Sequence, residues 1–205
     1  IQEIGRQDRA DDFVLVELDD IVADVVELTQ PRWRDLTRAE GRAVEVVVER
    51  CPGAMVAGNP SELREVLVNL VHNAVDAMPQ GGTLRLSTAK AVDTCQILVA
   101  DSGTGMPDDV RHRIFDPYFT TKGTRGTGLG LSVSHSIIRR HSGDIEVRSQ
   151  IEGPAHGTTF VISLPAVTEA RRDLPSTVPP RVRANGRARI LVVDDEANIR
   201  EILAE

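Results

Sequence analysis

Residues 60–78, PSELREVLVNLVHNAVDAM, are the most strongly patterned segment of the chain. Leu63, Val66, Leu67, Leu70, Val71, Ala74, Val75 and Met78 recur at i, i+3, i+4 and i+7, one face of an α-helix. Asn59 can cap this helix, Pro60 suits its first position, and Glu62 stands where a capping box places an acid. Pro79 and the pair Gly81-Gly82 stop it. Opposite the apolar stripe, Glu65, Asn69 and Asn73 fall at i, i+4 and i+8, with His72 and Asp76 beside them. Asn is a mediocre helix former, so each of these two carries a small propensity cost. Their amide oxygens can ligate a hard cation and their NH₂ groups can donate to phosphate. A solvated face accounts for one such Asn; a magnesium–triphosphate ligand accounts for two. Both readings stay open on this helix alone.

Outward from it, strands and helices alternate. Phe13–Val16 reads as a strand running into a helix with Ile21, Val22, Val25, Val26 and Leu28, which Pro31 ends. Strands are expected at 43–49, 83–88, 95–100, 144–149 and 158–164, with helices at 107–115 and 129–141. Residues 116–128 have no period. This pattern predicts an α/β fold, a two-layer α/β sandwich whose mixed β-sheet is covered by helices on one face. After Pro165 the chain becomes a Pro/Ser/Thr/Arg linker, 166–188. Residues 189–205 begin a buried strand ending in Asp194, Asp195 and Glu196, and so read as the truncated start of a new domain. The polar residues 1–12, opening on Ile1 rather than Met, read as the tail of something upstream.

Composition limits the function classes. The 205 residues are 40% hydrophobic and 27% charged, which fits a folded soluble chain. Only 3% are aromatic, so the core has to be aliphatic. A net charge of −7 gives no global field for nucleic acid or an anionic membrane. The two cysteines, Cys51 and Cys95, lack metal-ligand spacing and read as reduced core residues of a cytoplasmic protein. No apolar run approaches the roughly 20 residues of a membrane span.

Two glycine loops complete the chemistry. Asp101-Ser-Gly103-Thr-Gly105-Met106 follows a strand, placing a pure acceptor at its end beside a tight turn. A β-turn with an Asx cap also fits. Lys122-Gly-Thr-Arg125-Gly126-Thr127-Gly128-Leu129-Gly130 opens the helix 129–141, where exposed N–H groups and the helix dipole favour an anion. It matches neither a Walker loop nor a dinucleotide fingerprint. A flexible hinge is the plainer alternative; a mobile cover over phosphates suits its length better.

These pieces occur in an order that resembles the ATP-binding domain of sensor histidine kinases. The stretch from Glu65 to Ala77 resembles their N box, Asp101–Met106 the G1 box, Phe115–Lys122 the F box and Gly126–Leu131 the G2 box, with Gly157-Thr158-Thr-Phe160 as the closing strand. The wording NAVDAMP and DPYFTTK is most similar to the nitrogen-regulation type. The resemblance spans residues 13–165 and implies the Bergerat-type fold shared with gyrase, chaperone and mismatch-repair ATPases. It implies ATP and Mg²⁺ as ligands. Asn73 would hold the metal, with Asn69 close to the phosphates or metal and Asp76 among the cofactor-binding residues. Asp101 would accept from adenine, with Gly103, Gly105, Met106 and Thr158 about the ring. The lid, with Thr121, Lys122, Gly126, Thr127, Gly128, Leu129 and Gly130, would close over the triphosphate. Asn69, Asn73 and Lys122 would carry the catalysis. Phe115 and Phe119 have a plainer role as apolar anchors.

Residues 189–205 resemble the first strand of a response-regulator receiver, which implies the truncated start of a doubly wound α/β domain where Asp194 and Asp195 would bind Mg²⁺. The whole then resembles a hybrid histidine kinase in a two-component phosphorelay. The family's phospho-acceptor His sits on an upstream helical hairpin, and residues 1–12, at most the end of that hairpin, contain no His. The implied partners are that hairpin and a receiver domain, and the intact kinase is expected to be a homodimer. A hydrolytic ATPase, or a nucleotide-binding module without catalysis in isolation, is the rival reading. The superfamily's hydrolases place a glutamate where Asn69 stands, which favours phosphotransfer.

Overall fold

The computed structural model describes residues 13–39, 41–123, 126–153 and 156–167. The expected end of an upstream hairpin (1–12), the linker (166–188, apart from its first two residues) and the receiver start with Asp194 and Asp195 lie outside the described residues, as does Arg125 of the lid.

Strand β1 (Val14–Glu17) leads into helix α1 (Leu18–Gln30), and Pro31 opens a π-helical segment, Pro31–Leu36, followed by a single turn α2 (Thr37–Ala39). Then come β2 (Val44–Glu49), β3 (Met55–Gly58), α3 (Pro60–Asp76), β4 (Gly82–Lys90), β5 (Thr94–Asp101), α4 (Asp108–Arg111), α5 (Gly130–Arg140), β6 (Asp144–Gln150) and β7 (Gly157–Pro165). The main sheet has five strands in the order β2-β4-β5-β7-β6, and β1 pairs with β3 in a separate two-stranded ribbon. β2 runs parallel to β4 and the other pairings are antiparallel, so the sheet is mixed as expected.

Side chains alternate across each strand, and the register lines up one face. Leu86, Val99, Phe160 and Val147 form one cross-sheet row; Thr88, Ile97, Ile162 and Ile145 form the next. Helices α1, α3 and α5 cover this face, and Leu63, Leu67, Leu70, Leu84, Leu86, Ile97 and Ile162 are almost fully buried between the layers. Leu70 has no exposed surface. Truncating it to Ala is expected to cost about 2–5 kcal/mol, through lost transfer energy and a residual cavity.

The capping prediction for α3 holds in part. Asn59 Oδ1 accepts from the Ser61 and Glu62 N–H groups at 2.9 and 3.2 Å. The reciprocal half of the box is absent: the Asn59 N–H donates to His141 Nε2 at 3.0 Å, while Glu62 pairs with Arg140 at 2.7 Å. A buried imidazole from the end of α5 thus takes the place expected for the acid. His141 Nδ1 in turn bonds the Ile137 carbonyl at 2.8 Å, and Phe13 stacks on its ring at 4.5 Å. The short helix expected at 107–115 is regular only over Asp108–Arg111, and continues as turns.

Candidate functional site

The next row of the same sheet face is polar. Leu84 is followed across the sheet by Asp101, Thr158 and Ser149, one step past Val99 and Phe160. The helix-covered face therefore passes from core into a cavity of about 500 Å³. One wall is the end of this sheet, with Asp101, Thr158 and Phe160; the others are α3, with Asn69, Asn73 and Asp76, and the long loop before α5.

Asp101 Oδ1 accepts from the N–H groups of Gly103, at 2.9 Å, and Thr158, at 3.2 Å. Burial pushes its carboxyl above the usual carboxylate range, and these two N–H bonds oppose that shift. Ser149 Oγ sits 2.9 Å from Thr158 Oγ1 and accepts from the Met106 N–H at 2.8 Å, fixing Met106 at the cavity edge. Gly105 has φ +67, and an added Cβ would lie 2.0 Å from the Gln150 carbonyl oxygen, so the bare backbone is required by this loop's own packing.

On α3, Asn69 Nδ2 donates to Ser134 Oγ of α5 at 2.9 Å. Gly130 packs against that same amide: a Cβ there would lie 2.4 Å from Asn69 Oδ1. Lys122 Nζ reaches from the loop to Asn73 Oδ1 and Asp76 Oδ2, both at 2.8 Å. Arg32 Nη2 holds the other Asp76 oxygen at 2.5 Å. Burial would raise the Asp76 carboxyl, but the bonds from Lys122 and Arg32 outweigh it and hold it below the usual range. Burial first, then the Arg32 charge, lowers the pKa of His72, which also lines the cavity.

The loop is tied at both ends. The Tyr118 N–H donates to the Gly128 carbonyl at 2.9 Å, and Arg113 lies 4.4 Å above the Phe119 ring. Phe115 and Phe119 both pack on the core as anchors, and Phe119 also lines the cavity.

Of the residues expected from sequence, Asn69, Asn73, Asp76, Asp101, Gly105, Met106, Thr121, Lys122, Gly126, Thr127, Gly128, Gly130 and Thr158 line the cavity together. Gly103 and Leu129 do not. Gly103 acts through its N–H on Asp101, and Leu129 lies partly exposed before α5. Sequence reasoning missed Arg32, Thr104, Thr120 and Phe160. Phe160 was readable as the inward-facing residue next to Thr158; Arg32 had no signal.

The residues fit a hard cation shared with phosphate. The Lys122 ammonium rests on Asn73 Oδ1 and Asp76 Oδ2, so a positive charge already stands on oxygens that suit a divalent metal. No group of three His, Cys, Asp or Glu able to hold a metal occurs among the described residues. A metal here would therefore draw most of its ligands from phosphate and water, the usual habit of Mg²⁺.

A sheet-end carboxylate, an amide-bearing helix and a long loop enclosing one cavity on a mixed α/β sandwich define a nucleotide-binding domain of the Bergerat type. Residues 58–168, more than half of the chain, match the family described as histidine kinase-, DNA gyrase B-, and HSP90-like ATPase, and the chain belongs to that family. The sensor kinase CckA of Brucella abortus is 35% identical over 210 residues, covering 91% of this chain and 21% of the kinase. The chain thus spans about a fifth of that relative. The catalytic domain of the histidine kinase ThkA, in a nucleotide-free form, superimposes with a TM-score of 0.63 at 28% identity, covering 75% of this chain and 95% of that one. ThkA in complex with the response regulator protein TrrA gives 0.61 at 25% identity, covering 76% of this chain and 42% of that one. The domain is the ATP-binding catalytic domain of sensor histidine kinases. Among the described residues no helix is long and apolar enough to cross a membrane.

Proposed function

We propose that this chain is the catalytic part of a hybrid sensor histidine kinase of the nitrogen-regulation type, which transfers the γ-phosphoryl group of ATP to a histidine on an upstream hairpin. The supporting observation is a single cavity that brings Asp101 together with Asn69, Asn73 and Lys122. On this reading Asp101 accepts from the adenine amino group, beside Gly105, Met106 and Thr158. Asn69, Asn73, Asp76, Thr121 and Lys122 surround the phosphates with the loop backbone at Gly126, Thr127, Gly128 and Gly130. Gly103 and Leu129 shape those loops from behind.

Mg²⁺, held by Asn73 and the phosphates, would neutralise charge on the transferring group. A neutral imidazole nitrogen of the acceptor forms the new N–P bond as the bond to the bridging oxygen of ADP breaks. Catalysis is then mostly positioning and charge stabilisation. Lys122 supplies a cation that moves from Asn73 and Asp76 to the phosphates as they arrive.

Hydrolysis is the second reading, and the side chains weigh against it. Among the described residues the carboxylates lining the cavity are Asp76 and Asp101. The first is held by Arg32 and Lys122, the second by backbone N–H groups. Glu65 lines an adjoining groove that shares Asn69 and His72 with the cavity. Glu65, one turn before Asn69, shares that groove with it but does not line the cavity itself.

The likeness to CckA reaches past the nucleotide-binding domain. It covers 91% of 205 residues, about 187, so at least about 22 matched residues lie beyond position 165. The sequence pattern is what supports taking residues 166–188 as a linker and 189–205 as the receiver start, with Asp194 and Asp195 as its proposed Mg²⁺ ligands. The proposed partners are the acceptor hairpin, represented at most by residues 1–12, and a receiver domain; the complex of ThkA with the response regulator protein TrrA supports the second. The intact kinase is proposed to act as a cytoplasmic-facing homodimer. Calorimetry tests the site: ATP binding measured with magnesium should be lost in Asn73→Ala, and normal affinity in that variant would sink the assignment.

A further inference from the structure

Arg32 lies outside the residues matched by the family model and belongs to no motif in the sequence. It is placed by the π-helical segment that Pro31 opens after α1, and it lines the cavity beside Asn73, Asp76 and Lys122. One guanidinium nitrogen, Nη2, is committed to Asp76 Oδ1 at 2.5 Å. Its Nε is buried and is the sole buried side-chain nitrogen or oxygen among the described residues without a hydrogen-bond partner. A buried donor left unmade is costly, and native structures rarely keep one unless something else satisfies it.

A guanidinium offers five N–H donors in a planar fork that matches phosphate as well as carboxylate. The chain carries a net charge of −7, so any neutralisation of a polyphosphate has to be local. Arg32 and Lys122 flank the single carboxylate of Asp76, from Oδ1 and Oδ2 respectively, and the three together are net positive.

We propose that Arg32 is a phosphate-binding residue of the nucleotide site, its partly exposed guanidinium turning so that the donors not held by Asp76 reach the polyphosphate while Nη2 keeps Asp76 in place. This rests on the nucleotide reading above. It assigns a binding role to the α1–β2 connection, so the phosphate contacts come from three separate parts of the chain.

The test measures ATP and adenosine binding to the 205-residue chain, with magnesium and with EDTA, for wild type, R32Q and R32K. R32Q should weaken ATP about tenfold or more in both buffers, the range of one charge-assisted hydrogen bond, and leave adenosine within about twofold. R32K should lose about threefold, since the charge stays and the planar fork goes. Unchanged ATP affinity in R32Q overturns the proposal. So does equal weakening of ATP and adenosine, which marks a purely structural role. A loss that vanishes in EDTA also overturns it, because Arg32 would then act only by holding Asp76 for the metal. Thermal unfolding checks each variant; should R32Q fail to fold, the ATP-to-adenosine contrast in R32K decides. Absence of ATP binding by the wild type would instead overturn the nucleotide reading and this proposal with it.

Discussion

Asp101→Asn should separate ligand binding from folding. The substitution is isosteric, and the new amide oxygen can keep both bonds that Asp101 Oδ1 accepts, from Gly103 N–H at 2.9 Å and Thr158 N–H at 3.2 Å. The other carboxylate oxygen becomes an NH₂ group. A donor then meets the adenine amino donor, and flipping the amide would turn it against two backbone N–H groups instead. Losing one hydrogen bond to a charged acceptor costs about 1.5–3 kcal/mol, and the opposed donors add to it. A total of about 2–4 kcal/mol is roughly a 30- to 1000-fold loss in ATP affinity.

Stability should respond the other way. Burial raises the Asp101 carboxyl, so the folded chain binds that proton more readily than the unfolded chain. At neutral pH the ionised group therefore costs stability, and a neutral amide relieves that cost. Calorimetry and thermal melts at pH 7 read the two effects separately. An affinity within about threefold of wild type, or a clearly lower Tm in the ligand-free variant, would refute the reasoning.

The remaining predictions concern the elements around the cavity. Gly130→Ala would put a Cβ 2.4 Å from Asn69 Oδ1, breaking its fit against Ser134 and the start of α5. A stability cost of about 1–3 kcal/mol and clearly weaker ATP binding are expected; unchanged values of both would contradict the packing described. His141 is held neutral, Nδ1 on the Ile137 carbonyl and Nε2 accepting from Asn59, with Glu62 and Arg140 nearby. Burial lowers its pKa, so its contribution is complete above the unfolded value near 6.5 and is lost as pH falls below it. Urea melts at pH 7.5, 6.5 and 5.5 should show this loss in wild type and a shallower slope in His141→Gln; parallel slopes would count against it.

Most of the architecture was legible because α3 announces itself. Its apolar stripe, its cap and the Asn69/Asn73/Asp76 seam are encoded within one segment, and the sheet follows from β-branched runs between Gly and Pro signals. β3 was not legible. Met55–Gly58 is only four residues with a terminal glycine, and its strand character comes from pairing with β1, which lies far back along the chain. The same limit hid Arg32. Its role depends on a π-helical segment that carries it to Asp76, forty-four residues on, and no local pattern encodes that approach. The capping box misled for a related reason: Glu62 has the right spacing, but tertiary structure offers it Arg140 and offers Asn59 a histidine. From sequence, the glycines of the two loops point to a tight turn beside an acceptor and to N–H groups exposed to an anion. Gly105 and Gly130 show that the protein's own Gln150 and Asn69 demand the same bare backbone. In such loops, ligand and packing leave the same trace in sequence.

The central claim is that this cavity presents ATP for transfer to histidine. The direct measurement incubates the chain with γ-labelled ATP and magnesium, together with a separately supplied helical hairpin carrying an acceptor histidine. Acid-labile, base-stable label is expected on the hairpin, dependent on magnesium and abolished in Asn73→Ala. An unlabelled hairpin with labelled inorganic phosphate released into solution would contradict it and make the domain a hydrolase.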